Sequence, residues 1–361
     1  MSVVSEFKRM AKRIKIKEIA QLAGVSAGTV DRILHNRGNV SPEKAWAVEK
    51  VLAQVGYKFN LHTSAVSLTK SYRFLFITPQ AVVGSYWDAQ KDGVNQALDE
   101  YSDIHIEILH REYNQFDNTS CQACFEAALS EAVDGVIIGP TFQNETLAYC
   151  RELTSRRIPY IFIDARIEGA EEVITFCTDQ ISCGRMAASL ALWNYRKGEK
   201  TAVVHSDRKN QLRSTNSIVR EQGILSYFRE SDMEDCLLHT TLPSSGISSA
   251  GMEAFFREHH EVRSAIVLNS RGYQVAEILE RSGRKDVRLI GFDLTEQNRR
   301  CLEDGGIAAL LCQRPQAQGF YAVRTLISLL LYGKPDPNQT GLIPIDLVFK
   351  ENLPYYREVI R

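Results

Sequence analysis

The sequence lacks the long apolar runs that membrane proteins need. No stretch of 18 consecutive apolar residues occurs in the 361-residue chain, so we expect no transmembrane helix. The first 20 residues are rich in lysine and arginine and contain no apolar core of signal-peptide length. We therefore expect a cytoplasmic globular protein, and its length indicates two or three domains.

The sequence also lacks the motifs of common enzymes. It contains no Walker loop, no GxSxG, no HExxH and no zinc-binding set of cysteines and histidines. Its eight cysteines are scattered, which argues against a disulfide framework. Cys121 and Cys124 form a CxxC in a predicted helix, but no second pair or nearby histidine completes a metal set, so we expect free thiols. We expect no catalytic residue, no cofactor and no metal site.

Charge is distributed unevenly along a chain whose net charge is only −1. Residues 1–72 hold 12 lysines and arginines and 5 aspartates and glutamates, a net charge of +7. The remaining residues hold 31 basic and 39 acidic residues, a net charge of −8. A basic head on an acidic body is typical of a nucleic-acid-binding module joined to a domain that does not bind nucleic acid. A solvated basic tail is the alternative, and the regular pattern inside the head disfavours it.

Three short helical patterns lie in this head. The first spans residues 16–23 and is broken by Gly24. Ser26 can cap the second helix, which includes residues 29–34. A Ser-Pro-Glu start opens the third helix, which spans residues 41–56. A tight turn between the first two helices is typical of a helix-turn-helix, whose second helix enters the major groove of DNA.

Several runs in the head follow one recurring pattern, namely Glu18-Ile19-Ala20, Ala23-Gly24-Val25-Ser26, Thr29-Val30, Arg32, Val40-Ser41, Val48, Gly56-Tyr57 and Asn60. With them, residues 14–60 resemble the DNA-binding head of the lac repressor (LacI/GalR) family. The resemblance implies that Arg32 reads a base, since a guanidinium can bond a guanine edge through two hydrogen bonds. The whole set of DNA contacts that it implies is Lys17, Ser26, Ala27, Gly28, Thr29, Asp31, Arg32, Asn39, Asn60 and Val66. Asp31 stands where the family usually has serine, so we expect an operator unlike that of well-known relatives.

Residues 60–72 correspond to the hinge of the family. In the family this segment folds into a short helix on DNA and inserts a leucine into the minor groove. Val66 occupies that position here, and Leu68 could replace it if the register shifts. An ordinary linker is the alternative.

From Arg73 onward, short apolar runs alternate with helical segments. Predicted strands lie at 74–78, 104–110, 134–140 and 159–164, and in a second round at 201–206, 236–242, 265–269 and 287–293. The alternation predicts parallel, doubly wound sheets, and two rounds predict two lobes. The fold class is therefore α/β, with a small all-α helix-turn-helix head and a two-lobed, doubly wound parallel-sheet body. Ligands bind beyond the carboxyl ends of such strands, so the cleft between the lobes is the expected site.

The strand ends and helix starts of the body carry recognisable segments: IPYIFIDAR, DQISCGRMAA, AIVLNS, IGFDLTE and CQRPQAQGFYAV. With them, residues 72–350 resemble the periplasmic-binding-protein-like sugar domain of the same family. The resemblance implies the ligand residues Asp164, Arg220, Asn269, Asp293 and Gln313, with Trp87, Asp88 and Arg166 as weaker candidates. Carboxylates that accept from vicinal hydroxyls, with arginine and amides that donate, suit a polyol. Each residue could instead be a polar strand-end group that its neighbours satisfy.

We therefore predict a DNA-binding domain at residues 1–59, a hinge at 60–72 and an effector-binding body at 73–361. The predicted function is transcriptional regulation, with a sugar effector controlling the affinity of a homodimer for a palindromic double-stranded DNA operator. Sensing of a nucleobase or a phosphorylated sugar, corepression and activation stay open as alternatives. An enzyme is disfavoured by the absent motifs, and an exported solute-binding protein is disfavoured by the basic head.

Overall fold

The computed structural model describes residues 16–34, 40–54, 71–206, 214–243, 248–333, 335 and 339–356. The chain divides into two compact units, residues 1–70 and 71–361. None of the described helices combines the length and the apolar composition that a membrane-spanning helix requires. All eight cysteines are free, and Cys121 is buried while its CxxC partner Cys124 is half-buried.

The described residues of the first unit form three helices, α1 (Ile16–Leu22), α2 (Ala27–Leu34) and α3 (Pro42–Gln54). Gly24 sits in the turn between α1 and α2 with a φ of +64°, a left-handed conformation that glycine adopts without steric cost. The apolar faces of the three helices meet in a small core formed by Ile19, Ala20, Val30, Val48 and Val51. The helix-turn-helix expected from the sequence is therefore present.

The second unit contains two lobes, each built on its own sheet. The first lobe has five parallel strands in the order β2-β1-β3-β4-β5. Its elements are β1 (Ser71–Pro79), α4 (Tyr86–Glu100), β2 (His105–Tyr113), α5 (Asn118–Ala128), β3 (Gly135–Ile138), α6 (Gln143–Ser155), β4 (Tyr160–Ile163), β5 (Thr175–Phe176) and, from later in the chain, α12 (Pro315–Tyr332). Every residue of β3 and β4 is buried, because helices cover both faces of the sheet.

The second lobe has six strands in the order β11-β10-β9-β8-β6-β7, and β11 is antiparallel to β10. Its elements are α7 (Gln180–Leu192), β6 (Lys200–Ser206), α8 (Thr215–Glu230), β7 (Leu237–Leu242), α9 (Ala250–Glu258), β8 (Val262–Val267), α10 (Gly272–Arg281), β9 (Arg288–Phe292), α11 (Glu296–Glu303), β10 (Ala309–Cys312) and β11 (Asp346–Val348). Short 3-10 helices occupy Glu234–Cys236 and Leu353–Tyr356.

The chain passes between the two lobes three times. It crosses after β5, after β10 and again between α12 and β11. Two of the crossing segments touch, since Cys177 forms a parallel bridge with Leu342. A few loop residues joining two rigid lobes form the usual structural basis of hinge closure around a ligand.

Close helix packing sets the position of α8, which carries part of the site. A Cβ added to Gly184 of α7 would lie 1.9 Å from the backbone oxygen of Arg220, and one added to Gly223 would lie 2.2 Å from the backbone oxygen of Ile181. Only glycine allows the two backbones to approach this closely. The two glycines therefore fix where α8 presents its side chains to the cleft.

Candidate functional site

A polar cleft lies between the two lobes of the body, at the carboxyl ends of the parallel strands. Six of the residues predicted to bind ligand line it: Trp87, Asp164, Arg220, Asn269, Asp293 and Gln313. The first two belong to the first lobe, and the others follow strands of the second lobe or lie on α8. The two rounds of strands thus bring their end residues to one place, as expected for doubly wound sheets.

Asp164 follows β4 and connects the two lobes. Its backbone has a φ of 72°, a left-handed conformation that is uncommon outside glycine. Tyr86 donates its hydroxyl to Oδ1 of Asp164 at 2.7 Å, and Asn216 donates its amide to Oδ2 at 2.9 Å. Since Tyr86 belongs to the first lobe and Asn216 begins α8 in the second, the carboxylate spans the cleft.

Asp293 follows β9 and mirrors Asp164 in the other lobe, with a φ of 67°. Gln313 donates its amide to Oδ1 of Asp293 at 2.8 Å. Burial raises the pKa of Asp293 to about 7, although Arg220 and the Gln313 hydrogen bond oppose the rise and Asp164 adds to it. Two strand-end aspartates in a sparsely populated backbone conformation are the kind of strain that clusters at functional sites.

Arg220 lies on α8 and is only 3% exposed. Its guanidinium donates to Oε1 of Gln180 at 2.6 Å, to the backbone oxygen of Leu268 at 2.8 Å and to Oε1 of Gln313 at 2.8 Å. It also stacks on the ring of Phe292, with 4.1 Å from the guanidinium carbon to the ring centroid. These contacts hold the cation in one orientation at the floor of the cleft.

Gln313 joins the site to the crossing segments of the chain. Its Oε1 accepts from Thr178 at 3.1 Å and from Gln180 at 2.9 Å, as well as from Arg220. Thr178 lies in the first crossing segment, between β5 and α7, and Gln313 lies in the second, between β10 and α12. Through Gln313, Arg220 is therefore connected by hydrogen bonds to the segments that join the lobes.

Asn269 and Trp87 complete the predicted set of cleft residues. Asn269 follows β8, donates its amide to the hydroxyl of Ser206 and accepts from the backbone N–H of Arg271 at 2.9 Å. Trp87 is 6% exposed and packs edge-to-face on Tyr86, with 5.2 Å between ring centroids. It therefore forms part of the wall of the cleft.

The structure does not bring the remaining two predicted ligand residues into the cleft. Asp88 lines a neighbouring cavity that shares Tyr86 and Asp293 with the cleft, and its Oδ2 accepts from the backbone N–H of Gly84 at 2.8 Å. The side chain of Arg166 is 78% exposed and lies 3.5 Å from Glu172. The left-handed backbone at Asp164 turns the chain away from the strand direction, so residues two positions later no longer point at the strand end.

Several polar groups of the site are absent from the sequence prediction. Tyr86, Asn216 and Gln180 each bond directly to a predicted residue, and Gln318 accepts from the backbone N–H of Asp164 at 2.9 Å. A signal for Asn216 is its place just after Ser214, whose side chain caps α8, at a helix start that follows a strand end. Tyr86 likewise begins the helix that follows β1.

In the head, Ser26 caps α2, since its hydroxyl accepts from the backbone N–H of Thr29 at 3.1 Å. Gly28 and Arg32 are exposed on α2, whereas Ala27 packs partly against the small core. The side chains of Lys17 and Asp31 lie outside the described part of the chain, as do Asn39, Asn60 and Val66. The predicted hinge also lies outside it except for Ser71 and Tyr72, which begin β1.

A helix-turn-helix head followed by a two-lobed body with a polar interlobe cleft defines a regulator with a periplasmic-binding-protein-type sensor. Residues 15–60 match the family model for bacterial regulatory proteins of the lacI family, and residues 74–335 match that for the periplasmic binding protein domain. The chain belongs to the lacI family of bacterial regulators, in its form with a periplasmic-binding-protein-like body.

Among solved structures, a candidate LacI transcriptional regulator from Bacteroides fragilis is 31% identical with a TM-score of 0.75, over 80% of this chain and 100% of that one. GanP, a glucose-galactose binding protein from Geobacillus stearothermophilus, shares the fold with a TM-score of 0.66 at 22% identity, over 79% of this chain and all of that one. Among curated proteins, the regulator KdgR of Bacillus subtilis is 25% identical over 161 residues, 44% of this chain and 45% of KdgR. The chain spans about half the length of the curated relatives it matches.

Proposed function

We propose that this protein is a DNA-binding transcriptional regulator whose operator affinity is controlled by a neutral sugar or related polyol bound between the two lobes. The observation that carries the proposal is the cleft, where two strand-end aspartates, one fixed guanidinium and several amides converge, in a chain that also contains a helix-turn-helix. Membership of the lacI family supports the same function.

The charge of the cleft favours a neutral ligand over a phosphorylated one. Among the described residues that line it, the charged side chains are Asp164, Asp293 and Arg220. Two carboxylates and one guanidinium give no excess of positive charge, and the guanidinium already donates to three protein acceptors. A phosphate normally needs free cationic donors, whereas hydroxyl groups can donate to carboxylates and accept from amides. GanP, which shares the fold, carries a name that describes binding of neutral sugars.

Ligand binding would compete with the contacts that now join the lobes. The hydroxyls of a sugar can replace the amide of Asn216 on Asp164 and can bond Asp293 at the same time. Because Gln313 links Arg220 to both crossing segments, the two lobes would then settle in a different relative position. In a homodimer such a change alters operator affinity by a coupling free energy of about 1–3 kcal/mol.

We also propose that the active form is a cytoplasmic homodimer on a palindromic site of double-stranded DNA. A helix-turn-helix reads only a few base pairs, and two copies related by a two-fold axis match two half-sites. Arg32, exposed on α2, would contribute base contacts there.

An in vitro selection of DNA by the purified full-length protein tests this function. The selection is repeated with neutral monosaccharides, their phosphate esters and nucleobases. We expect enrichment of one palindromic DNA sequence. We also expect one neutral sugar or polyol to change the amount of that DNA which the protein retains. If a phosphate ester alone changes retention, the cleft argument is wrong. If no sequence is enriched under any condition, the proposed DNA reader is wrong.

A further inference from the structure

A cluster of three metal-binding side chains lies in the second lobe, beside the cleft but outside its hydrogen-bond network. It consists of His205 on β6, His239 on the neighbouring β7, and Glu221 on α8. In the parallel register His239 pairs with Val203, two residues before His205, so both imidazoles lie on the same face of the sheet. Helix α8 covers that face and brings Glu221 to the two rings.

The three potential ligand atoms form a nearly equilateral triangle. Nε2 of His205 lies 3.1 Å from Nδ1 of His239 and 3.4 Å from Oε1 of Glu221, and Nδ1 of His239 lies 3.6 Å from the same Oε1. Zinc binds imidazole nitrogen and carboxylate oxygen at about 2.0–2.2 Å in tetrahedral geometry, which separates neighbouring ligands by about 3.3–3.5 Å. One edge of the triangle lies within this range and the other two lie within about 0.2 Å of it.

A hydrogen bond accounts for the 3.1 Å contact between the two imidazoles, but it explains the two longer contacts with Glu221 less well. The two contacts of Glu221 with the imidazoles, at 3.4 and 3.6 Å, are longer than the usual range for N–H···O bonds, about 2.7–3.2 Å. Two imidazole nitrogens that face each other can share a single proton, so one of them presents a lone pair. A cation in the centre satisfies all three atoms together.

We propose that His205, His239 and Glu221 bind a divalent transition-metal ion, with Zn²⁺ as the best fit to two imidazoles and one carboxylate. The side chain of Glu221 is only 10% exposed, and a buried carboxylate is stabilised by a neighbouring cation. The side chain of His239 is 46% exposed, which leaves an approach from solvent and room for a water molecule as fourth ligand. The sequence-based expectation of no metal site is revised by this proposal.

A bound ion would join β6, β7 and α8 close to the effector site. Glu221 is the neighbour of Arg220 in α8, and His205 precedes Ser206, which accepts from Asn269. The ion would hold these elements at fixed distances, and it would stabilise the folded lobe by binding it in preference to the unfolded chain.

Metal titration of the full-length protein tests the site. The protein is stripped with a chelator, desalted and titrated with Zn²⁺ against a chromophoric competitor, in the wild type, His239→Gln and His259→Gln. His259 is a matched control, because it also contacts a glutamate, Glu261, at 2.9 Å, while no third ligand joins the pair in the part of the chain that the structure describes. We expect the wild type and His259→Gln to bind one tight equivalent that His239→Gln weakens by more than about tenfold. Equal affinity in all three proteins would overturn the proposal.

A second readout separates metal binding from misfolding and from other zinc ligands such as the cysteines. The thermal midpoint is measured with and without Zn²⁺ in the same three proteins and in Glu221→Gln. We expect Zn²⁺ to raise the midpoint of the wild type and of His259→Gln, and to leave His239→Gln and Glu221→Gln unchanged. An equal rise in all four proteins would place the ion elsewhere. Neither measurement involves DNA or sugar, so failure here leaves the proposed function standing.

Discussion

Replacing Asp293 with asparagine tests the electrostatics of the cleft. Asn has nearly the same shape, tolerates the left-handed backbone at this position and keeps an oxygen to accept from Gln313. It differs by being unable to ionise. The substitution therefore isolates the cost of holding a charged carboxylate in this buried place.

The magnitude follows from the pKa of Asp293. In the folded protein burial raises it to about 7, whereas its ordinary value is 3.8. Because the folded state holds the proton more tightly, Asp293 contributes stability that is complete below about pH 4 and is lost as the pH rises through 7. At 1.36 kcal/mol for each pKa unit, the loss between pH 5 and pH 8 is roughly 2–3 kcal/mol. The Asp293→Asn variant should not lose this stability with rising pH, because asparagine does not ionise.

The assay is urea unfolding of the ligand-free protein, followed by tryptophan fluorescence and circular dichroism at pH 5, 6, 7 and 8. We expect Asp293→Asn to gain roughly 2–3 kcal/mol relative to the wild type between pH 5 and pH 8. Asp179→Asn is the control, because hydrogen bonds from Ser182 lower the pKa of Asp179 and its titration lies below this range. Parallel stability curves for the wild type and Asp293→Asn would refute the reasoning.

Three other substitutions, the first with a matched control, test packing, the cleft and the head. Gly184→Ala should destabilise the body by about 1–3 kcal/mol, because its Cβ would meet the backbone of Arg220. Gly251→Ala is the control, since open space surrounds Gly251, and it should leave stability unchanged or slightly raised. Equal urea midpoints for the two variants would contradict this. Tyr86→Phe removes a hydrogen bond to the buried carboxylate of Asp164, so we expect urea unfolding to show a free energy of unfolding lower by about 1.5–3 kcal/mol. An unchanged free energy of unfolding would show that the bond contributes little. Arg32→Ala should reduce the difference in binding free energy between the operator and a mutated operator by about 1–3 kcal/mol, measured by competition binding. Sugar affinity should stay unchanged. A parallel loss of sugar affinity would argue against separate domains.

Much of the fold could be predicted because the strands are short apolar runs separated by amphipathic helices. Each of the eight predicted strands overlaps an observed one, from β1 to β9. Three observed strands were not predicted, namely β5, β10 and β11. Of these, β5 and β11 have only two and three residues, which is too short to show a pattern. The return of α12 to the first lobe was also not predictable, since it depends on glycine contacts between α4 and α12 rather than on local sequence.

Cleft residues could be predicted from the sequence where they closely follow a strand, as Asp164, Asn269 and Asp293 do. Asn216 and Tyr86 reach the site because the lobes face each other, which no local pattern encodes. The side chain of Arg166 lies outside the cleft for a local reason, the left-handed turn at Asp164. The His205–His239 pair depends on the register of β6 against β7, and a separation of 34 residues in sequence hides it.

The most direct test of the account measures operator affinity with and without the effector in the wild type and in Arg220→Gln. The probe is the operator and the neutral sugar or polyol found by selection. We predict that saturating effector changes the operator Kd of the wild type by about 5–150-fold. Arg220→Gln should keep the effector-free Kd and lose the change. An unchanged Kd in the wild type, or the same change in the variant, would contradict control of DNA binding through this cleft.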